Sequence, residues 1–294
     1  MISNLMESVR DRLSDHVAGP YRLDDTGQQK VLEANASIGS TYVKEHVGGV
    51  SPYWRWFFGK AVASLDLNST DLVVDVCCGS GRVCLNVMTS GLFARAIGVD
   101  ISVDQVKALR DAINELGLTS AECIVGSVLV MPFPDDSVDC VMGHSFLHHL
   151  PDNPAFLREI HRVLRPGGAF CFTHEPSVSA GRIEQALIRR WTRLFKPRND
   201  GLTQGPMTDI WSYDSDSLSV MLAEAGFSDV SIDARGYLAT MVGAFIERAW
   251  RKVYSTEPPS LLYVPREILH CVDRVLFSHR HQNDFSSFLL RGWK

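Results

Sequence analysis

The sequence predicts an α/β fold built on a doubly wound, mostly parallel sheet. Three observations predict it. Apolar, β-branched runs alternate with stretches of helical periodicity, the runs are apolar on both faces, and a glycine turn joins the first run to the helix after it. A chain of 294 residues with 45% hydrophobic and 21% charged residues can bury one large core that carries insertions.

Ser51-Pro52 supplies an N-cap and an N1 proline, and Trp54, Phe57, Phe58, Val62 and Leu65 then recur at helical spacing. Leu72 to Val76 reads as the first buried strand, followed at once by Cys77-Cys78-Gly79-Ser80-Gly81. Ala96 to Asp100 is the second strand, and Ser102-Val103-Asp104-Gln105 has the form of a capping box opening a helix that Gly117 ends. Three more strands are expected at 123–125, 138–142 and 169–173, with a helix from Pro154 to Leu164 stopped by Pro166-Gly167-Gly168. Beyond Thr173 the rhythm changes. Helices are expected at 183–195, 240–253 and 265–278, a helical stripe at 218–225, a strand at 230–234 and a closing edge strand at 286–290. The expected organisation is an N-terminal helical lid segment at 1–50 and a catalytic domain at 51–294, with helical insertions at about 177–213 and 238–283.

Composition narrows the partners. A formal net charge of −5 lacks the basic excess that nucleic-acid binding requires. No apolar run approaches the roughly 18 residues of a membrane span, and the first residues lack a signal-peptide pattern. The expectation is a cytoplasmic protein, monomer or homodimer, acting on a small molecule rather than nucleic acid or membrane. Its seven cysteines show no paired spacing and read as reduced structural thiols, and no metal site is expected.

The glycine turn carries the chemistry. In an open parallel sheet, ligands bind beyond the C-terminal strand ends, where strand order reverses. Gly79 and Gly81 permit a sharp turn and close approach of a ligand, ahead of a helix N-terminus. A dinucleotide fingerprint would need a third glycine where Cys84 stands, and no Walker lysine follows Gly81. A phosphate-free nucleoside fits better than a nicotinamide dinucleotide or ATP. Asp100, closing the second strand, can accept both hydroxyl hydrogens of a ribose. Asp75 either meets the ligand or holds the turn.

Five ordered pieces within residues 50–175 resemble the class I S-adenosylmethionine-dependent methyltransferases, in particular the small-molecule group with a type 11 methyltransferase domain. They are Val74 to Gly81, Gly98 to Ser102, Met131 to Asp139, Phe146 to Leu150 and Leu157 to Gly168. The resemblance implies a Rossmann-like fold and S-adenosylmethionine as cofactor. It places the backbone from Cys77 to Gly81 around the methionine part, Asp100 at the ribose, Ile101 on the adenine face, and Ser127 with Val128 at the adenine edge. Cys77 stands where the family more often has glycine, and Ser127 where it often has an acidic residue.

The activated methyl group leaves the protein mainly to align the acceptor and exclude water, and a base is needed only for some acceptors. The candidates are His144, His148 and His149 after the fourth strand, and His174 with Glu175 after the fifth. Of these His174, His144 and His149 are the catalytic candidates, and His144 also lies where its backbone can meet the cofactor. Tyr42, Tyr53, Trp191, Phe195, Trp211 and Tyr213 are candidate acceptor walls, and the basic run from Arg182 to Arg198 is a candidate for attracting an anionic acceptor. The competing readings are a nicotinamide-dependent oxidoreductase on a similar sheet, and a methyltransferase-like cofactor-binding protein that transfers no methyl group.

Overall fold

A computed structural model describes residues 21–37, 49–63, 65, 67, 71–178, 211–236, 250, 253–254, 264–276, 282, 285 and 287–294. Its strands are β1 (Leu72–Val76), β2 (Arg95–Asp100), β3 (Ala121–Val125), β4 (Val138–His144), β5 (Leu164–Pro176), β6 (Ser228–Arg235) and β7 (Ser287–Trp293). They form one sheet in the order β3-β2-β1-β4-β5-β7-β6, in which β7 runs antiparallel to both neighbours. Strand order reverses between β1 and β4, so the C-terminal ends of β2, β1, β4 and β5 lie side by side at the switch point.

The described helices are α1 (Asp25–Ala36), α2 (Pro52–Val62), α3 (Arg82–Thr89), α4 (Val103–Glu115), α5 (Asn153–Val163), α6 (Ser215–Glu224) and α7 (Val264–Leu276). They sandwich the sheet, which explains the unbroken apolar strands. Val74, Val76, Val99, Val141, Phe170 and Phe172 pack with Phe156, Ile160 and Leu218 on one face. Val73, Ala96, Cys140, Met142 and Cys171 pack with Phe58, Val83, Leu85 and Leu109 on the other. All seven cysteines are unpaired thiols, and Cys271 alone is exposed.

Local signals account for the helix starts. Ser51 Oγ accepts from Trp54 N at 3.2 Å ahead of Pro52, Asp152 Oδ1 accepts from Ala155 N at 2.9 Å, and Asp214 Oδ1 accepts from Ser217 N at 2.9 Å. Two of the family-like segments clamp each other. Arg162 donates to the carbonyls of Phe133 and Met131 and to the carboxylates of Asp135 and Glu159, while Glu159 accepts from Met131 N. Those segments brace the loop before β4 instead of reaching the strand ends.

Three expectations change. The closing strand is not an edge: β7 pairs with β5 from Pro176 to Ala169 and with β6 from Arg235 to Ser228, because its apolar residues Phe288, Leu289 and Leu290 are buried. The fifth strand is longer than 169–173, running past Thr173 to Pro176 through an irregularity at His174. The capping box is half-formed. Ser102 Oγ accepts from Gln105 N at 3.4 Å, but Ser102 N donates to Asp100 Oδ1 at 2.9 Å rather than to the Gln105 side chain. The expected helices at 183–195 and 240–253 lie outside the described residues, except for Trp250 and Val253. So does nearly all of the insertion expected at 177–213, whereas α7 falls within the one expected at 238–283.

Candidate active site

β1 ends on Asp75 and Val76, and the chain then turns back towards α3. Cys77, Gly79 and Gly81 all have positive φ, at 50°, 51° and 96°. The left-handed backbone suits glycine, so Cys77 holds a conformation that costs an L-residue roughly 1–2 kcal/mol. Burial keeps the Cys77 thiol well above its ordinary pKa, so it is neutral.

The two glycines are needed for different reasons. A Cβ on Gly81 would sit 2.3 Å from Leu109 Cδ1, so its bareness lets α4 pack against the turn. A Cβ on Gly79 would meet within 4 Å only the Gln105 carboxamide, with Oε1 at 3.7 Å. There the missing side chain leaves a cradle. Gly79 has open space beside it, whereas Gly81 serves packing.

Asp75 is 1% exposed and its Oδ2 accepts from Cys84 N at 2.9 Å. Burial raises its pKa to about 8, against the opposing pull of the Cys84 amide. The amide that a pyrophosphate would seek at the start of α3 is therefore already occupied. Asp75 visibly holds the turn. Asp100, at the end of β2, accepts from Gly79 N at 2.9 Å and from Ser102 N at 2.9 Å. Burial raises its pKa, while the Ser102, Gly79 and Ile101 amides oppose the shift. Ile101 is half-buried beside it, Val128 is buried, and Ser127 Oγ accepts from Leu129 N at 3.2 Å. Among the described residues, Gln105 Oε1 is buried without a hydrogen-bond partner. A carboxylate, an unsatisfied carbonyl and a bare Gly79 meeting at one strand end fit the ribose side of a nucleoside.

The ends of β4 and β5 build a second centre. His144 Nδ1 lies 2.8 Å from Thr173 Oγ1, whose hydroxyl donates to the Gly143 carbonyl at 3.3 Å. When the Thr173 proton is directed to Gly143, the threonine oxygen is free to accept from Nδ1–H, the tautomer of His144 in which Nε2 is the basic nitrogen. Thr173 pairs with Leu289 and Glu175 with Phe288, so His174 is the extra residue of a β-bulge, with φ of 68°. The bulge turns His174 outwards, where its ring stacks on His144 at 5.6 Å with planes 13° apart. Trp54, Phe57 and Phe58 of α2 meet His144 edge-on at 5.1, 6.4 and 5.9 Å. The cleft in front is lined by Tyr53, Trp54, Phe57, His144, His174 and Arg235, among others.

His270 also lines this cleft, whereas His148, His149 and Glu175 belong elsewhere. Glu175 is fully buried and its carboxylate accepts from the amides of Phe146, Leu147 and His148 at 3.0, 3.2 and 3.3 Å, and from His148 Nδ1 at 2.9 Å. Burial alone would raise its pKa, but the His148 hydrogen bond and charge and these amides prevail and lower it. His149 lies against His148 at 4.0 Å, and its carbonyl accepts from Asn35 Nδ2 at 3.3 Å. This pair braces the 3₁₀ turn at Leu147–His149. Trp211 and Tyr213 are core residues, with Trp211 Nε1 donating to the Leu150 carbonyl at 2.6 Å and Asn153 Nδ2 donating to Tyr213 Oη at 2.7 Å. Tyr42, Trp191, Phe195 and the basic run from Arg182 to Arg198 lie outside the described residues. Sequence reasoning missed Thr173, Arg235 and Gln105. Thr173 and Arg235 stand at strand ends, the one signal that points to them, and Gln105 was absorbed into the capping box.

A family profile described as a methyltransferase domain matches residues 74–172. The demethylmenaquinone methyltransferase of Geobacillus kaustophilus is 30% identical over 170 residues, which are 54% of this chain and 71% of that protein. The enzyme of the same description from Listeria welshimeri is 36% identical over 109 residues, 36% of this chain and 46% of that protein, so the match spans about half of that relative's length. Among solved structures, the [4+2]-cyclase SpnF superposes with a TM-score of 0.52 at 18% identity, covering 94% of this chain and 97% of its own. Phosphoethanolamine N-methyltransferase 2 of Haemonchus contortus gives 0.52 at 13% identity, covering 82% of this chain and 56% of its own. These two are likenesses of fold. By its strand order, its glycine turn and its match to the Geobacillus enzyme, the chain belongs to the class I S-adenosylmethionine-dependent methyltransferases.

Proposed function

We propose that this protein transfers a methyl group from S-adenosylmethionine to a small, flat and largely apolar acceptor, with His144 as the base. One observation carries the reading. The Asp100–Gly79 end and the His144–Thr173 pair lie on one sheet edge, with β1 between β2 and β4, at a separation of roughly 10 Å for two strand spacings. When bound, the cofactor supplies an electrophilic methyl group.

The chain's own residues do the rest. Asp100 and the Cys77–Gly81 backbone hold the nucleoside and methionyl parts, with Ile101, Ser127 and Val128 at the adenine. His144 takes the acceptor proton at Nε2 while Thr173 keeps Nδ1–H in place. His174, stacked on His144, limits the tilt of that ring. Tyr53, Trp54 and Phe57 exclude water and favour an aromatic acceptor. The curated relatives act, by their names, on demethylmenaquinone, which agrees with such a cleft.

The test is calorimetry with S-adenosylhomocysteine, followed by mass spectrometry of cofactor and candidate aromatic acceptors incubated with the protein. Micromolar binding and a gain of one methyl group are expected. No binding of the demethylated cofactor would overturn the reading.

A further inference from the structure

The cleft in front of His144 takes its aromatic lining from one element and its basic lining from several. Tyr53, Trp54 and Phe57 come from α2, whereas His144, His174, Arg235 and His270 come from β4, β5, β6 and α7. Among the described residues that line it there is no carboxylate. α7 is turned to the same effect: it buries His270 and Asp273 and leaves Ile268, Val275 and Leu276 exposed, although Asp273 itself does not line the cleft. Cover for a wholly apolar ligand would call for the reverse orientation, with the apolar stripe inwards.

Arg235 is the permanent charge of this set, since a guanidinium keeps its proton at any working pH. It is the last residue of β6 and pairs in the ladder with Ser287, whose hydroxyl donates to its carbonyl at 3.5 Å. The sheet therefore fixes where the side chain starts. The guanidinium carbon then lies over the Phe57 ring, 5.6 Å from its centroid, and the residue is half-buried. The carboxylate two residues earlier, Asp233, is engaged by Arg291. A half-buried cation beside an aromatic wall attracts an anion, and the planar fork of a guanidinium matches a carboxylate through two parallel N–H···O bonds.

Phe57 also ties this cation to the base. Its ring meets His144 edge-on at 6.4 Å, so His144 and Arg235 both touch one aromatic ring. A flat acceptor lying in the cleft can place its reacting hydroxyl at His144 and an anionic substituent at Arg235.

We infer that Arg235 is an acceptor-binding residue, and that the acceptor is a hydroxylated aromatic acid whose carboxylate it holds. The inference rests on the reading of this cleft as the acceptor site and adds one charged group to the flat, largely apolar molecule proposed for it.

The probes are 6-hydroxy-2-naphthoate and 3-hydroxybenzoate, each beside its primary amide, which keeps the shape and removes the charge. Each is titrated calorimetrically into the whole chain, with and without saturating S-adenosylhomocysteine, and into its Arg235→Gln and Arg235→Lys variants. At least one acid should bind the wild type about ten- to a hundredfold more tightly than its amide. Arg235→Gln should lose most of that preference while holding the amide within about twofold of the wild type, and Arg235→Lys, which keeps the charge but not the fork, should retain part of it. Equal affinity of the wild type for acid and amide, failure of both acids to bind, a preference that survives in Arg235→Gln, or a parallel loss of acid and amide in that variant would overturn the assignment. If Arg235→Gln is poorly folded, Arg235→Met supplies the uncharged comparison with a similar reach across Phe57. Failure to bind S-adenosylhomocysteine would overturn the methyltransferase reading alone, because the comparison of acid with amide in the cofactor-free chain decides the role of Arg235 separately.

Discussion

His144, the last residue of β4, and Thr173 of β5 form a 2.8 Å hydrogen bond between the imidazole Nδ1 and the threonine hydroxyl. The pairing depends on register, since His144 stands directly across from Thr173 in the ladder. Thr173→Val keeps the buried shape but removes the acceptor of Nδ1–H. Turnover should fall about tenfold, and His144→Ala should cost about 10²–10⁴-fold. S-adenosylhomocysteine affinity should stay within about twofold in both. Methyl-transfer assays beside calorimetry check this split, and a parallel loss of cofactor affinity would argue against the base.

The two glycines of the turn should separate stability from binding. Gly81→Ala forces a methyl group onto Leu109 at a φ of 96°, and should destabilise the fold by about 1–3 kcal/mol. Gly79→Ala has room, and its left-handed φ of 51° costs roughly 1–2 kcal/mol. Its larger effect should be on cofactor affinity, because the new methyl group fills the cradle beside Gln105. Urea denaturation and calorimetry on both variants distinguish the two roles.

Glu175 is expected to matter for folding. Its carboxylate gathers the three amides of the 3₁₀ turn and the His148 ring in a fully buried setting. Glu175→Gln removes the charge opposite His148 and should cost about 3–5 kcal/mol, measured by urea denaturation. Its folded pKa is lowered, so its contribution is present above the ordinary carboxylate range and is lost as pH falls through the folded value.

Asp75 has the opposite sign. Its folded pKa is raised from 3.8 to about 8, so the folded state holds a proton that the unfolded chain releases. Its contribution to stability is fully present below pH 3.8 and is lost as pH rises through about 8. Asp75→Asn keeps an oxygen for Cys84 N and removes the titration. Relative to the wild type, the variant should gain up to about 1.4 kcal/mol per pH unit across that window. Melting curves between pH 4 and 8 are the measurement, and parallel profiles would reject the shift.

The sequence by itself determined the sandwiched sheet, because unbroken apolar runs such as Leu72–Val76 and Val138–Met142 require cover on both faces. It also determined the glycine turn and the carboxylate that closes β2. Gly79 and Asp100 act through local backbone geometry and through a strand-end position, and both follow from short-range order. The His144–His174 juxtaposition is different, since β4 and β5 meet only once the helix between them is packed, and the outward turn of His174 comes from a bulge set by pairing with β7. The division of labour between His144 and the His148–Glu175 brace is likewise a matter of which side chain reaches a buried carboxylate. Only the tertiary structure decided these placements, because each brings together groups that are distant in the chain.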